Sequence, residues 1–125
     1  MRTPEQILRD ARTIAVVGAS PDAHRPSHGV MRYLERAGYR VLPVNPTWDG
    51  AAPSLADLDE PVDLVDVFRR PEHCADVARD AVAIGAGALW LQLGIRSAEA
   101  RTVAEAAGLD YVEDACTAVV HRLLG

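Results

Sequence analysis

Apolar residues follow two alternating patterns along this chain. Five short runs are almost continuously apolar, which predicts strands buried on both faces of a sheet, at residues 13–18, 40–45, 61–68, 86–93 and 109–112. Segments with apolar residues at helical spacing precede, separate and follow these runs, at residues 3–11, 27–38, 71–83, 97–107 and 116–124, with a short helix at 54–57. The chain therefore predicts a regular alternation of helices and strands.

Residues that favour helix starts stand where the helical patterns begin. Thr3, Ser27 and Ser97 are predicted N-caps, because a hydroxyl oxygen there can accept a backbone N–H of the first turn. Pro71 suits a first helical position, and Gly38 suits the residue just after the end of a helix. These signals mark where four of the helices start and where one of them ends.

Strands separated by helices cannot form hairpins, so the pattern predicts right-handed crossovers between parallel strands. The expected fold is α/β: a single Rossmann-like doubly wound domain over residues 1–125. Its five-stranded, mainly parallel sheet carries helices on both faces.

Composition agrees with one ordinary globular domain. The chain has 125 residues, of which 49% are hydrophobic and 25% charged. Its formal net charge of −5 argues against nucleic acid or an anionic membrane as partners. All 13 basic residues are arginine, which excludes Schiff-base and P-loop lysine chemistry but leaves rigid guanidinium groups suited to phosphate and carboxylate.

Cysteine usage and the apolar runs bear on the compartment. Cys74 and Cys116 stand far apart without a CxxC pair, so we expect two free, structural thiols in a reducing cytoplasm. The first residues lack the apolar run of a signal peptide, and no run approaches the roughly 20 residues that span a bilayer. The predicted protein is cytoplasmic, with no membrane contact.

A parallel sheet of this kind binds ligands beyond the carboxyl ends of its strands. The loops to inspect are residues 18–28, 45–52, 68–71 and 92–97. In the first loop, Gly18, Ala19 and Ser20 lead to Arg25 and Ser27 at the start of a helix, a setting that suits a phosphate or diphosphate. The alternative is a turn in which the small residues serve the backbone alone.

Two common nucleotide motifs are absent. Gly18 is not followed by the GxGxxG spacing, and no GxxxxGK[ST] sequence occurs. At the end of the second strand, Asn45 and Pro46 stand where an NAD enzyme usually has a carboxylate for the ribose. A simple NAD site and P-loop phosphoryl transfer are therefore disfavoured.

The third and fourth loops add an aromatic ring, two cations and an amide. Phe68 could contact a planar base, and Arg69 or Arg70 could pair with phosphate. Alternatively, Phe68 belongs to the core and both arginines are solvated or pair with Glu72. Gln92 ends an apolar strand and needs a hydrogen-bond partner if it is buried, which a ligand amide or the backbone could supply.

Candidates for catalysis are few. On one helix, Cys116 and His121 point about 140° apart, so they do not form a dyad. The four histidines show no metal-ligand spacing. We therefore predict no catalytic residue and no metal.

The motifs resemble the small stand-alone CoA-binding proteins, whose domain is similar to that of the succinyl-CoA synthetase α-subunit. The similar segments are residues 14–21 (Ile-Ala-Val-Val-Gly-Ala-Ser-Pro), 25–27 (Arg-Pro-Ser), 39–46 (Tyr-Arg-Val-Leu-Pro-Val-Asn-Pro), 61–71 and 89–95. They span residues 14–121 in the same order and spacing. The resemblance implies that the ligand is coenzyme A or a short acyl-CoA, held through its phosphates and adenosine.

Loops and resemblance together give the expected cofactor-binding residues: Gly18, Ala19, Ser20, Arg25, Ser27, Asn45, Pro46, Phe68, Arg69, Arg70, Gln92 and Gly94. Two departures from the family stand out. Thr47 replaces a basic residue common after the Asn-Pro pair, so Arg25 and Arg69 are expected to contribute more to phosphate binding. Near the C-terminus, Ala115 and Val120 stand where relatives often carry Arg and Glu, which argues against catalysis there.

Three functions remain open. The first is a CoA-binding protein without catalysis. The second is an NAD(P)-linked or acyl-transfer enzyme on the same fold. The third is an interaction module with a vestigial nucleotide site, for which an exposed Trp48 would be the sign, whereas Trp90 is expected in the core. The chain is a monomer or a homodimer in each case, and its protein partner is not indicated.

Overall fold

A computed structural model describes residues 1–124 as a parallel sheet covered by helices on both faces. The strands are β1 (Thr13–Val17), β2 (Arg40–Val44), β3 (Leu64–Val67), β4 (Ala88–Leu91) and β5 (Asp110–Val112). The helices are α1 (Pro4–Asp10), α2 (Pro26–Arg36), α3 (Pro71–Ala83), α4 (Ala98–Ala106) and α5 (Thr117–Arg122), with a 3₁₀ turn at Leu55–Asp57. All strand pairs are parallel, so the predicted fold class is confirmed. Within residues 1–124, no helix is long and apolar enough to cross a membrane.

Alternate residues of the central strands point to opposite faces of the sheet. Ile14 and Val16 pack with α1, α2 and α5, whereas Ala15 and Val17 pack with α3 and α4. Trp90 is fully buried on the first face, as expected, and its indole N–H donates to the carbonyl of Ala115 at 2.8 Å. Burial on both faces explains why these strands are continuously apolar.

The helix starts follow the predicted signals with one exception. The hydroxyl of Thr3 accepts from the N–H of Gln6 in a capping box, and Ser97 accepts from the N–H of Ala100. The N-cap prediction for Ser27 is wrong, because the helix begins earlier, at Pro26. Proline suits the first position, since its φ is already helical and it has no N–H to satisfy. Arg25 is therefore the N-cap, and its side chain makes no capping hydrogen bond.

The strand order is β2-β1-β3-β4-β5. From β1 the chain crosses to β2 on one side, and from β2 it returns to β3 on the other side of β1. The order of the strands therefore reverses between β1 and β3, and the loops that follow these two strands diverge to leave a crevice.

Candidate functional site

A crevice of about 810 Å³ lies beyond the carboxyl ends of β1, β3 and β4. Its size is in the range of small-molecule binding sites. The loops after these strands and after β2 form its walls, together with the first turns of α2 and α3. This is the position expected from the sequence for a ligand site.

Most of the predicted site residues line this crevice: Gly18, Ser20, Arg25, Ser27, Asn45, Phe68, Arg69, Arg70 and Gln92. Ser27 is buried there at the second position of α2, although it does not cap the helix. Phe68 is half-buried and packs against the core on one side while it faces the crevice on the other. Both earlier interpretations of Phe68, as core residue and as crevice residue, hold in part.

Ala19, Pro46 and Gly94 do not line the crevice. Ala19 is fully buried, and its carbonyl accepts a hydrogen bond from the Asn45 amide at 2.7 Å. Pro46 borders a separate cleft of about 230 Å³, which Arg69 and Gly18 also border. The N–H of Gly94 donates to Asp114 at 2.7 Å, so this donor already has a partner within the chain.

Asp114 ties the loop after β4 to the loop after β5. It accepts from the Gly94 N–H and forms an ion pair with Arg96. These two interactions lower the pKa of the Asp114 carboxyl, with the Gly94 N–H as the larger cause. The backbone of Asp114 has a φ of 55°, a left-handed conformation that Asp tolerates better than most residues. These two interactions hold the loop after β4, which follows Gln92 at the end of the crevice.

Asn45 joins two loops in the opposite wall of the crevice, which the loops after β1 and β2 form. Its amide N–H₂ donates to the carbonyl of Ala19, and its side-chain oxygen accepts from the N–H and the hydroxyl of Thr47. Both ends of the Asn45 side chain are therefore used to join the loops after β1 and β2. Trp48 is half-buried on this wall, against Gly50, and lines the crevice.

Three arginines give the crevice a local positive charge. Across residues 1–124, no carboxylate lies within ion-pair distance of Arg25, Arg69 or Arg70. Four other arginines are paired with carboxylates elsewhere: Arg2, Arg40, Arg79 and Arg96. The remaining arginines of residues 1–124 are unpaired as well, but they do not line the crevice. The unpaired guanidinium groups can accept an anion without breaking an existing ion pair.

Two helix N-termini border the same crevice. The first residues of α2 and α3 line it, and neither helix has a side-chain cap. The first residue of each helix is proline, which has no N–H, and the third donates its N–H to the N-cap carbonyl. The N–H groups of Ser27 and Glu72 remain, and such groups at a helix start carry a partial positive charge that attracts anions. Of the other helices, α1 and α4 have side-chain caps and begin elsewhere, whereas the short helix α5 has no side-chain cap and its N-cap residue, Cys116, lines the crevice.

A buried polar cluster, which we call the Asp66 cluster, lies beneath the crevice and consists of Asp66, Gln92 and Thr117. Gln92 donates through Nε2 to both carboxylate oxygens of Asp66, at 2.7 and 2.9 Å, and to the hydroxyl of Thr117 at 2.8 Å. The Thr117 hydroxyl in turn donates to Asp66 at 2.9 Å. Burial raises the pKa of Asp66 to about 7, although both hydrogen bonds oppose the shift.

Sequence reasoning noticed Gln92 but missed Asp66 and Thr117. A signal for Asp66 was present, because the apolar run at 61–68 contains two carboxylates, and Asp66 is the one with apolar residues on both sides that belong to β3. Thr117 carries no such signal, since a threonine at the start of a helix is ordinary.

The two cysteines differ in their surroundings. Cys74 is fully buried in α3, and burial raises the pKa of its thiol to about 11, which fits the expected structural role. Cys116 is also a free thiol, as expected, but it is partly exposed and lines the crevice, so its structural role stays a prediction. His121 lies away from it, with Nδ1 at 2.8 Å from the Tyr33 hydroxyl.

A doubly wound parallel sheet with a crevice where its strand order reverses is the architecture of Rossmann-like ligand-binding domains. Within that class the chain belongs to the CoA-binding domain family, whose model matches residues 12–122. The predicted resemblance is confirmed.

Related proteins match over nearly the whole chain. The protein YneT of Bacillus subtilis (strain 168) is 38% identical over 124 residues, which cover 95% of this chain and 92% of YneT. The structure of cell-free ID.343 from Thermus thermophilus is 43% identical, with a TM-score of 0.93, and the match covers 99% of this chain and all of that one.

The same fold occurs inside a larger protein. A dinucleotide-forming acetyl-coenzyme A synthetase 1 from Ca. Korarchaeum cryptofilum is 26% identical, with a TM-score of 0.69. The match covers 79% of this chain and 25% of the synthetase chain.

Proposed function

We propose that this protein binds coenzyme A or a short acyl-CoA in the crevice, without catalysing a reaction. The observation that carries the proposal is the group of three unpaired arginines beside two uncapped helix N-termini. Coenzyme A is a polyanion at its nucleotide end, and these groups would hold its phosphates.

The rest of the crevice suits the less polar part of such a ligand. Val30, Trp48, Phe68, Leu93 and Ile95 supply apolar surface to the walls. Leu93 is largely exposed in the crevice wall, so a ligand that covered it would remove apolar surface from water. A ligand with phosphates at one end and a long, weakly polar arm at the other would cover both kinds of surface.

The lining residues support binding rather than catalysis. Among the described residues, those that line the crevice include no histidine, aspartate, glutamate, lysine or tyrosine. Cys116 is the one lining residue with a nucleophilic thiol, and no base from that set lies beside it in the wall. Membership of the CoA-binding domain family supports the ligand class.

Isothermal titration calorimetry tests the proposal. Coenzyme A, acetyl-CoA and NADH would be titrated into the wild type and into the variants Arg25→Ala and Arg69→Ala. We expect coenzyme A to bind and each variant to weaken it roughly tenfold or more, because a charged hydrogen bond to phosphate is lost.

Arg32→Ala is the matched control, since Arg32 is an exposed arginine of α2 outside the crevice. It removes the same charge and should leave the affinity almost unchanged. Binding of NADH but not of coenzyme A would contradict the proposal and favour an NAD-linked enzyme. Equal affinity in all variants would remove the arginines from the site.

A further inference from the structure

The Asp66 cluster fixes the direction of the Gln92 side chain. Above its pKa of about 7 the Asp66 carboxyl is ionised and can only accept hydrogen bonds, so the group of Gln92 that faces it is then the N–H₂. The Thr117 hydroxyl gives its proton to Asp66, and its oxygen therefore accepts the second N–H of Gln92. Turning the amide over would place its oxygen against two acceptors, which is unfavourable.

This arrangement leaves the Oε1 atom of Gln92 without a partner. All three hydrogen bonds of the side chain pass through Nε2. No fully buried side-chain oxygen or nitrogen among residues 1–124 lacks a partner, so Oε1 retains some exposure. Gln92 is only 4% exposed and lines the crevice, so that remaining exposure faces the crevice.

We propose that Asp66 and Thr117 are positioning residues that hold Gln92 Oε1 as a fixed acceptor for an amide N–H in the arm of the bound ligand. The inference rests on the proposed function, because the pantetheine arm of coenzyme A contains two such amides. It assigns a chemical preference to this part of the crevice. An N–H donor is accepted, whereas a carbonyl, carboxylate or phosphate oxygen is repelled.

The position of Gln92 favours contact with the pantetheine arm of coenzyme A rather than with its nucleotide. Gln92 follows β4, and its neighbours in the crevice wall include Leu93, Ile95 and Cys116, none of which is charged. Arg25 and the start of α2 follow β1, and β3 separates β1 from β4 in the sheet. Arg69 and Arg70 follow β3, between these two strands. The acceptor oxygen is thus assigned to the β4 end of the crevice, on the far side of the β3 loop from Arg25.

The test compares two probes, coenzyme A and adenosine 3′,5′-bisphosphate, which lacks the arm. Both would be titrated near pH 8, where Asp66 is ionised, into the wild type and into Asp66→Asn, Thr117→Val and Thr117→Ser. Asparagine offers a donor as well as an acceptor, so Gln92 can turn over in Asp66→Asn. Valine removes the hydroxyl, and serine restores it.

We expect Asp66→Asn to weaken coenzyme A about fivefold to tenfold, the cost of one hydrogen bond. Thr117→Val keeps the carboxylate that orients Nε2, so it should weaken coenzyme A less than Asp66→Asn does. Their affinity for the bisphosphate should stay that of the wild type, and Thr117→Ser should keep the wild-type preference. A general loss of structure would instead weaken both probes together, and that result would overturn the inference. If Asp66→Asn fails to fold, the binding of ester analogues of coenzyme A to the wild type decides.

Two analogues of coenzyme A test the N–H donor directly, each with an ester oxygen in place of one amide N–H of the arm. One of them should bind the wild type about fivefold to tenfold more weakly than coenzyme A and bind Asp66→Asn with no further loss. If both analogues bind the wild type as well as coenzyme A, the donor assignment is wrong while the proposed function stands. Failure of coenzyme A itself to bind the wild type contradicts the proposed function.

Discussion

Gly18 lies at the crevice in a position that leaves no room for a side chain. Its φ of +85° lies in the left-handed region, and a Cβ atom built on it would stand 2.5 Å from the carbonyl oxygen of Phe68. The backbone after β1 therefore passes directly against the backbone after β3, at the reversal of the strand order. Only glycine permits this approach without a shift of one of the two loops.

Gly18→Ala is expected to lower the free energy of unfolding more than Gly85→Ala does. Gly85 also has a positive φ, of +74°, but a Cβ atom there would meet nothing within 4 Å. The control should cost about 1–2 kcal/mol from its backbone conformation alone. The steric clash at Gly18 should add about 1–3 kcal/mol. Urea unfolding of both variants measures the difference, and equal losses would contradict the close approach.

Individual residues show what could be predicted at the site and what could not. Arg25, Arg69 and Phe68 were found because their loops follow strands, and parallel strands end at the same edge of a sheet. Asp66 was missed, since its partner Gln92 lies 26 residues away in sequence. Only the register, which sets Asp66 beside Trp90 of the neighbouring strand, brings the two together.

Among the helices, α2 combines a structural weakness with a proposed role. Its N-cap is Arg25, whose side chain makes no capping hydrogen bond, whereas α1 and α4 are capped by Thr3 and Ser97. A better cap would occupy the N–H groups that we propose for the ligand phosphates. The start of α2 is thus suited to a ligand at some cost in helix stability.

Arg25→Ser is expected to stabilise the free protein and weaken its ligand binding. Serine can cap the first turn of α2, which should raise the free energy of unfolding by about 0.5–1 kcal/mol relative to Arg25→Ala. Both variants lose the guanidinium group and should bind coenzyme A more weakly than the wild type. Thermal unfolding and calorimetry on the same two variants separate the effects. A serine variant no more stable than the alanine variant would show that the first turn is already satisfied.

The elements themselves were largely predictable, and their ends were less so. The pattern gave α3 with its observed bounds, Pro71–Ala83, because proline marks its start and apolar spacing marks its buried face. The fourth strand was predicted too long, at 86–93, since Ala86 and Leu93 are apolar but lie outside the ladder. An apolar residue indicates burial or proximity to a site. Whether it also forms hydrogen bonds with a neighbouring strand depends on how the strands are arranged in the folded protein.

For the molecule as a whole, the buried Asp66 carboxyl links stability to pH. Its hydrogen-bond partners are Gln92 and Thr117, both uncharged, so burial dominates and raises its pKa from 3.8 to about 7. Between these two values the folded protein holds a proton that the unfolded chain has released. The stabilisation from this group is therefore greatest at acidic pH and is lost as the pH rises through about 7.

We expect the Asp66 contribution to lower the free energy of unfolding by at most about 1.4 kcal/mol per pH unit from mildly acidic pH towards neutrality. Asp66→Asn has no carboxyl to ionise and should lack this part of the dependence. Urea unfolding of both proteins near pH 5 and near pH 8 gives the comparison. Parallel pH profiles for the two would mean that Asp66 ionises with an ordinary pKa.

The cations of the crevice are all guanidinium groups, and this affects whether a bound thioester would react with a basic side chain. A thioester such as an acyl-CoA transfers its acyl group readily to a neutral primary amine, which a lysine side chain becomes when its proton is lost. An arginine stays protonated and is a poor nucleophile under the same conditions. Since all 13 basic side chains are arginine, no side chain of this protein offers such an amine. A protein of this composition could hold an activated acyl group beside several positive charges without becoming acylated on lysine.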